Sequence, residues 1–137
     1  MERKKVLTAP PDTRVSTAAK LMAESKVSAV VVVEGKRLVG IFTERDAVFR
    51  VIAQDRDAQV TRLADVMTRA PRTVTPTESF GYALLVMHEN GFRHLPVVDN
   101  GEVVGVVTAR NALDPELEEF ESVVQRRNNV PRRPGEA

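Results

Sequence analysis

The sequence has no cysteine and no tryptophan, and aromatic residues make up only 4% of it. Without cysteine there is no disulfide, no thiol nucleophile and no Cys-ligated zinc. Two histidines are too few for a usual structural zinc site, so no metal is expected. The shortage of aromatic rings argues against a base-stacking surface. Charge of one sign is also missing: 20 Lys+Arg against 19 Asp+Glu leave a net +1, with both signs mixed along the chain. No field of that kind draws in nucleic acid, so no nucleic-acid partner is expected. No apolar run reaches the ~18 residues that a membrane span needs. The charged start Met1-Glu2-Arg3-Lys4-Lys5 leads into no long hydrophobic region, so it does not read as a signal peptide. A cytoplasmic protein with no membrane partner is expected.

What is present is 42% hydrophobic and 28% charged residues in a chain of 137. That suits one globular domain or a tight pair of small repeats. A repeat is visible. Gly40-Ile41-Phe42-Thr43-Glu44-Arg45-Asp46 matches Gly105-Val106-Val107-Thr108-Ala109-Arg110-Asn111 at a spacing of 65 residues. The same spacing carries Pro11 onto Pro76, Val15 onto Phe80, Met22 onto Met87, and Val32-Val33 onto Val97-Val98 without a gap.

Each copy has the same order of signals. Thr8-Ala9 and Thr73 to Thr75 are short extended pieces ending at proline. Val15, Ala18, Ala19 and Met22 recur at helical spacing, as do Phe80, Ala83, Leu84 and Met87. Asn90-Gly91 is a helix stop; Ser25-Lys26 is a weaker one. Two apolar runs follow in each copy. Ala29 to Val33 and Leu38 to Phe42 are separated at Glu34-Gly35, and Leu95 to Val98 and Val103 to Val107 at Asn100-Gly101. These predict hairpins. A further helix is predicted after Thr43 (Ala47, Val48, Val51, Ile52) and after Thr108 (Ala112, Leu113).

The predicted fold is therefore α+β, a β-α-β-β-α unit used twice, over residues 6–54 and 66–114, packed about a pseudo-two-fold axis. Neither copy of roughly 50 residues buries its apolar face well alone. The polar stretch Gln54 to Arg62 reads as the linker. Asp114-Pro115-Glu116 reads as the start of a C-terminal helix striped by Leu117, Phe120 and Val124, and residues 115–137 are assigned to that helix and a loose tail. The helix Glu116 to Gln125 is expected to make a dimer contact.

The residues Asp65-Val66-Met67-Thr68 before Pro71, Phe92-Arg93-His94-Leu95-Pro96-Val97-Val98-Asp99, and the two Gly-x-x-Thr-x-x-Asp/Asn segments resemble a tandem pair of CBS domains, a Bateman module. The resemblance covers nearly everything from Val6 to Leu113. With no enzyme or transporter attached, the chain is similar to the stand-alone CBS proteins of prokaryotes. The resemblance implies a regulatory module that binds an adenine nucleotide or adenosyl ligand (AMP, ADP, ATP, NAD or S-adenosylmethionine) in clefts between the repeats. It also implies a homodimer.

Thr43 and Asp46 stand out chemically. One carboxylate can accept from both hydroxyls of a ribose diol, and a Thr hydroxyl one turn earlier can reach a ribose or phosphate oxygen. Thr-x-x-Asp before a helix is equally a capping-box pattern, and the two roles are compatible. Arg93 supplies the donor fork that suits phosphate, with His94 beside it; the plain alternative is a solvated surface pair. The resemblance joins Asp46 of one repeat to Arg93 and His94 of the other. Ile41, Arg72, Phe92 and Pro96 then wall the adenine, and Arg45 reaches toward a polyphosphate. The mirror site, from Thr108, Asn111 and Val106 with Ser28 and Ala29, has neither carboxylate nor cation and is expected to be weak or empty. His88 reads as a surface residue, and Met22 and Met87 as core.

A ligand-sensing regulator is thus the leading expectation, with a ligand-free dimerisation module that docks a partner protein as the alternative. No Ser-His-Asp, paired-carboxylate or Walker pattern is evident, so no enzyme is expected.

Overall fold

The computed structural model describes residues 6–109. The chain divides into two compact units, one ending at Pro71 and the other beginning at Arg72. Residues 66–71, which the sequence reading assigns to the second repeat, therefore group with the first unit.

In the first unit, β1 (Thr8–Ala9) runs parallel to β2 (Ala29–Glu34), which pairs antiparallel with β3 (Arg37–Thr43). Helix α1 (Val15–Ser25) lies between β1 and β2 in sequence. After β3 comes a single helical turn, α2 (Glu44–Asp46), that continues as a π-helical segment, Ala47–Ile52. A short helix α3 (Leu63–Val66) then leads into β4 (Thr68–Arg69), which pairs antiparallel with β3. One apolar core holds these pieces, with Val15, Ala18 and Met22 of α1 against Val30, Val32 and Phe42 of the hairpin and Leu63, Val66 and Met67 of the α3–β4 corner. Ala19 is exposed, so the apolar stripe of α1 is narrower than its spacing suggests.

The second unit repeats this plan from Val74, which bridges in parallel to Val97. Helix α4 (Phe80–Asn90) and the hairpin β5 (His94–Asp99) and β6 (Glu102–Thr108) follow. Its own core joins Phe80, Ala83, Val86 and Met87 to Leu95, Val97 and Val107. Expectations for residues 110–137, including the helix after Thr108 at Ala112 and Leu113, Asn111 and the helix Glu116 to Gln125, lie outside the described residues.

The repeat extends to irregularities. The first hairpin shifts register between Val32 and Val33, and the second shifts between Val97 and Val98, the same place 65 residues on. Both turns have two residues, Gly35-Lys36 and Asn100-Gly101. The first sits one residue later than the sequence reading placed it. Asn100 and Gly101 have φ of 54° and 83°, the left-handed pair of a type I′ turn, whereas in the first turn only Gly35 is left-handed.

The helices end alike but by different means. Gly91 stops α4 at φ 72°, and Lys26 stops α1 at φ 57°. In both, the next amide bonds back five residues, Val27 N–H to Met22 O and Phe92 N–H to Met87 O. The starts differ more. Ser79 Oγ accepts from the Tyr82 N–H at 3.0 Å and caps α4. Arg14, preceding α1, caps nothing with its side chain. Instead the first amides of α1 donate to the supposed linker, Val15 N–H to Thr61 O at 2.8 Å and Ser16 N–H to Ala58 O at 2.9 Å. Arg14 also reaches Gln59 O. The 54–62 stretch is thus the cap of α1 as well as a connection.

Lys26 spends energy on its left-handed backbone that glycine does not. Lys26→Gly is therefore expected to raise stability by about 1 kcal/mol, read as an upward shift of the chemical-denaturation midpoint at unchanged slope.

Candidate functional site

The last residue of β3 makes a corner. Thr43 is extended, and the chain turns directly into α2. Thr43 N–H donates to Asp46 Oδ2 at 2.9 Å, Thr43 Oγ1 donates to the same oxygen at 3.2 Å, and Asp46 N–H donates back to Thr43 Oγ1 at 3.3 Å. This is the capping box that the Thr-x-x-Asp spacing allows. It buries Asp46 to 8% exposure and fixes the direction of its carboxylate. The second oxygen, Oδ1, faces Arg50 Nε at 3.5 Å.

The neighbouring residues fall as follows. Ile41 is buried and pairs across strands with Val31 and Thr68. Arg45 lies over the ring of Phe49, 4.7 Å from its centroid, both residues being exposed. Ser28 O accepts from Glu44 N–H at 3.0 Å, and Ala29 pairs with Thr43. Ser28 and Ala29 therefore sit beside Thr43 within the first unit.

The second unit shows the equivalent arrangement. Arg93 O accepts from Ala109 N–H at 2.9 Å, His94 pairs with Thr108, and Pro96 pairs with Val106. Arg93 and Arg72 are exposed, Phe92, His94, Val106 and Thr108 are partly buried, and Pro96 is fully buried. His88 is exposed, while Met22 and Met87 belong to the two cores. Asn111 lies outside the described residues. Of the expected site residues, the first unit thus holds Ile41, Thr43, Arg45, Asp46, Ser28 and Ala29. The second holds Arg72, Phe92, Arg93, His94, Pro96, Val106 and Thr108.

Arg50 is a residue the sequence reading passed over. Beyond its contact with Asp46, its Nη1 donates to Val66 O and Met67 O, both at 3.2 Å. These are the terminal carbonyls of α3, which no helical N–H can satisfy. The available signal was the acid-to-base spacing of four from Asp46 to Arg50. The carbonyl partners leave no mark in sequence.

A protein-family model for the CBS domain matches residues 1–53 and 63–115. The chain belongs to the CBS-domain family. Among curated relatives, the mitochondrial CBS domain-containing protein CBSX3 of Arabidopsis thaliana is 34% identical over 122 residues, covering 85% of this chain and 59% of its own length. CBSCBSPB1 of the same plant is 33% identical over 123 residues, covering 89% of this chain but 23% of its own length. The chain thus spans less than two thirds of the first relative's length and about a quarter of the second's.

Solved CBS structures agree in fold. A CBS-domain protein from Burkholderia ambifaria is 36% identical with a TM-score of 0.74, the match covering 78% of this chain and 79% of that one. The CBS domain protein PAE2072 of Pyrobaculum aerophilum, solved in complex with AMP, is 27% identical with a TM-score of 0.74, covering 89% of this chain and 95% of its own. A hexameric CBS-CP12 protein from bloom-forming cyanobacteria is 25% identical with a TM-score of 0.75, covering 95% and 71%. Among the described residues, no helix is long and apolar enough to cross a membrane, and no group of three or more His, Cys, Asp or Glu is placed to hold a metal.

Thr43→Val removes the hydroxyl from the corner at nearly constant volume. Two of the three box hydrogen bonds are lost, and stability is expected to fall by about 1 kcal/mol, measured by denaturant unfolding without ligand.

Proposed function

We propose that the chain is a regulatory module that senses an adenine nucleotide or a related adenosyl ligand and passes the bound state to a partner. The observation that carries the proposal is the structural match to a relative solved with AMP, which spans almost all of that relative. The chemistry at the β3 corner supports it. Asp46 is an oriented carboxylate with one oxygen turned away from its capping bonds, a suitable acceptor for a ribose hydroxyl. Thr43 and Asp46 hold the ribose, Arg93 and His94 meet the phosphate, and Arg45 meets a longer phosphate chain. Ile41, Arg72, Phe92 and Pro96 contact the base. The set Ser28, Ala29, Val106, Thr108 and Asn111 makes a weaker second site. AMP, ADP, ATP, NAD and S-adenosylmethionine share the adenosine these groups recognise. The reading includes a cytoplasmic homodimer without catalytic activity; the hexameric relative supports self-association.

One observation favours a second reading. The capping box already engages Asp46, and the box would serve equally in a ligand-free module that only dimerises and docks a protein.

A thermal-shift panel of the five ligands separates the two. A ligand at ~100 times its dissociation constant adds about 2.7 kcal/mol to a site present only in the folded state. The expected result is a clear shift with at least one ligand, lost in Asp46→Ala and reduced in Arg93→Ala. No shift with any ligand would turn the reading to the docking module.

A further inference from the structure

Arg50 joins two places that sequence keeps apart. Its Nε faces the Asp46 carboxylate, and its Nη1 holds the Val66 and Met67 carbonyls where α3 turns into β4. We propose that Asp46 and Arg50 form a latch that reports occupancy of the Asp46 carboxylate to the α3–β4 corner. This rests on the reading of Asp46 as a ribose acceptor.

The argument is one of acceptor positions. A carboxylate offers about four lone-pair sites, two on each oxygen. Oδ2 is filled by the Thr43 N–H and hydroxyl. A ribose diol brings two donors and must therefore use Oδ1, the oxygen that faces Arg50. The diol and the guanidinium compete for it. A displaced Arg50 loses the contact that aims its Nη1 at the two carbonyls.

The corner is built to respond. Its strand, β4, is only two residues long. It lies against the main chain of β3 at Gly40, where an added Cβ would fall 2.5 Å from Met67 Sδ and 2.9 Å from Thr68 O. Beyond the Arg50 bonds, it is held by its two-residue pairing with β3, by Ala70 N–H to Val39 O and by Arg69 to Ala64 O. Val66 and Met67 anchor the corner in the core, but Thr68 and Arg69 lie outside it, and so short a pairing opens at low free energy. It is also the last element before Pro71, where the first unit ends, so a change there lies directly on the chain's path to the second unit.

Amide hydrogen exchange on the full chain, followed by NMR, tests this. The probes are the amides of Met67, bonded to Leu63 O, and Ala70, bonded to Val39 O. Without ligand, Arg50→Met and Asp46→Asn are each expected to speed exchange at both amides by about five-fold, the worth of one net hydrogen bond. Asn keeps an oxygen for Thr43, so the corner at β3 survives. The double variant should go no further than the larger single one, and Arg50→Lys should fall between. AMP should speed the same amides in the wild type and leave Arg50→Met unchanged, and Arg50→Met should bind AMP about two- to five-fold more tightly, because the half-exposed Arg50 no longer competes for Asp46. Asp46→Asn leaving both amides at wild-type rates would overturn the latch, even where AMP binds. So would Arg50→Met answering AMP as the wild type does. If Asp46→Asn frees the corner but no nucleotide binds, the coupling of Asp46 and Arg50 to the corner stands, while the nucleotide reading, and with it the report of occupancy, fails.

Discussion

The corner at Thr43 converts a strand into a helix without an intervening loop, and much of the first unit is oriented by it. Three hydrogen bonds between two residues hold the turn. They set where the π-helical segment begins, and so which way Arg45, Asp46 and Arg50 point. They also leave Asp46 with one oxygen committed to the fold and one facing a cation. A residue of this kind is neither purely structural nor purely functional. Without the box the carboxylate would be loose and costly to order around a ligand; with it, that ordering is already done.

Much of the fold was legible because the sequence states it twice. The spacing of 65 residues predicts the strands, the helix faces and the hairpins, and the structure extends the repeat to a matching register shift and a matching parallel bridge. The Asn90-Gly91 stop and the Asn100-Gly101 turn were readable because only certain residues tolerate left-handed backbone. Lys26 was not readable on those grounds. It adopts the same conformation where α1 ends, and lysine bears the strain. Helix α3 and the cap on α1 were hidden for another reason. Both depend on main-chain groups, such as Thr61 O and Ala58 O, that every residue carries. Hydrogen bonds between distant backbone atoms leave no pattern in side-chain identity.

The candidate site was legible in its residue types more than in its wiring. The Thr-x-x-Asp spacing gave two readings, capping and binding, and the structure realises the first while leaving one carboxylate oxygen out of it. Arg50 escaped notice because its role is fixed by two carbonyls 16 and 17 residues away. The two units also differ where their plan is shared. Ser28 and Arg93 occupy equivalent positions, each giving its carbonyl to the first amide after the following hairpin. The backbone duty is the same, so the side chain is free to differ: a hydroxyl in one, an exposed guanidinium in the other. A repeat can thus diverge in charge at one point without cost to the fold.

For a sensor, the competition at Asp46 sets a limit. A ligand shifts a conformational equilibrium only by its difference in affinity for the two states. If Arg50 kept its hold on Asp46 with ligand bound, the α3–β4 corner would be the same in both states, and tight binding would signal nothing there. The exchange of one partner for another supplies the difference. Its size is bounded on both sides. Arg50 is half exposed, so its ion pair is screened and worth about 1 kcal/mol at most. The two carbonyl bonds add a similar amount each. A ligand therefore loses little affinity in displacing Arg50, while the small β4 element, with few bonds of its own, can still change population appreciably. A buried, fully paired cation in the same place would hold the corner more firmly and charge the ligand far more for its release.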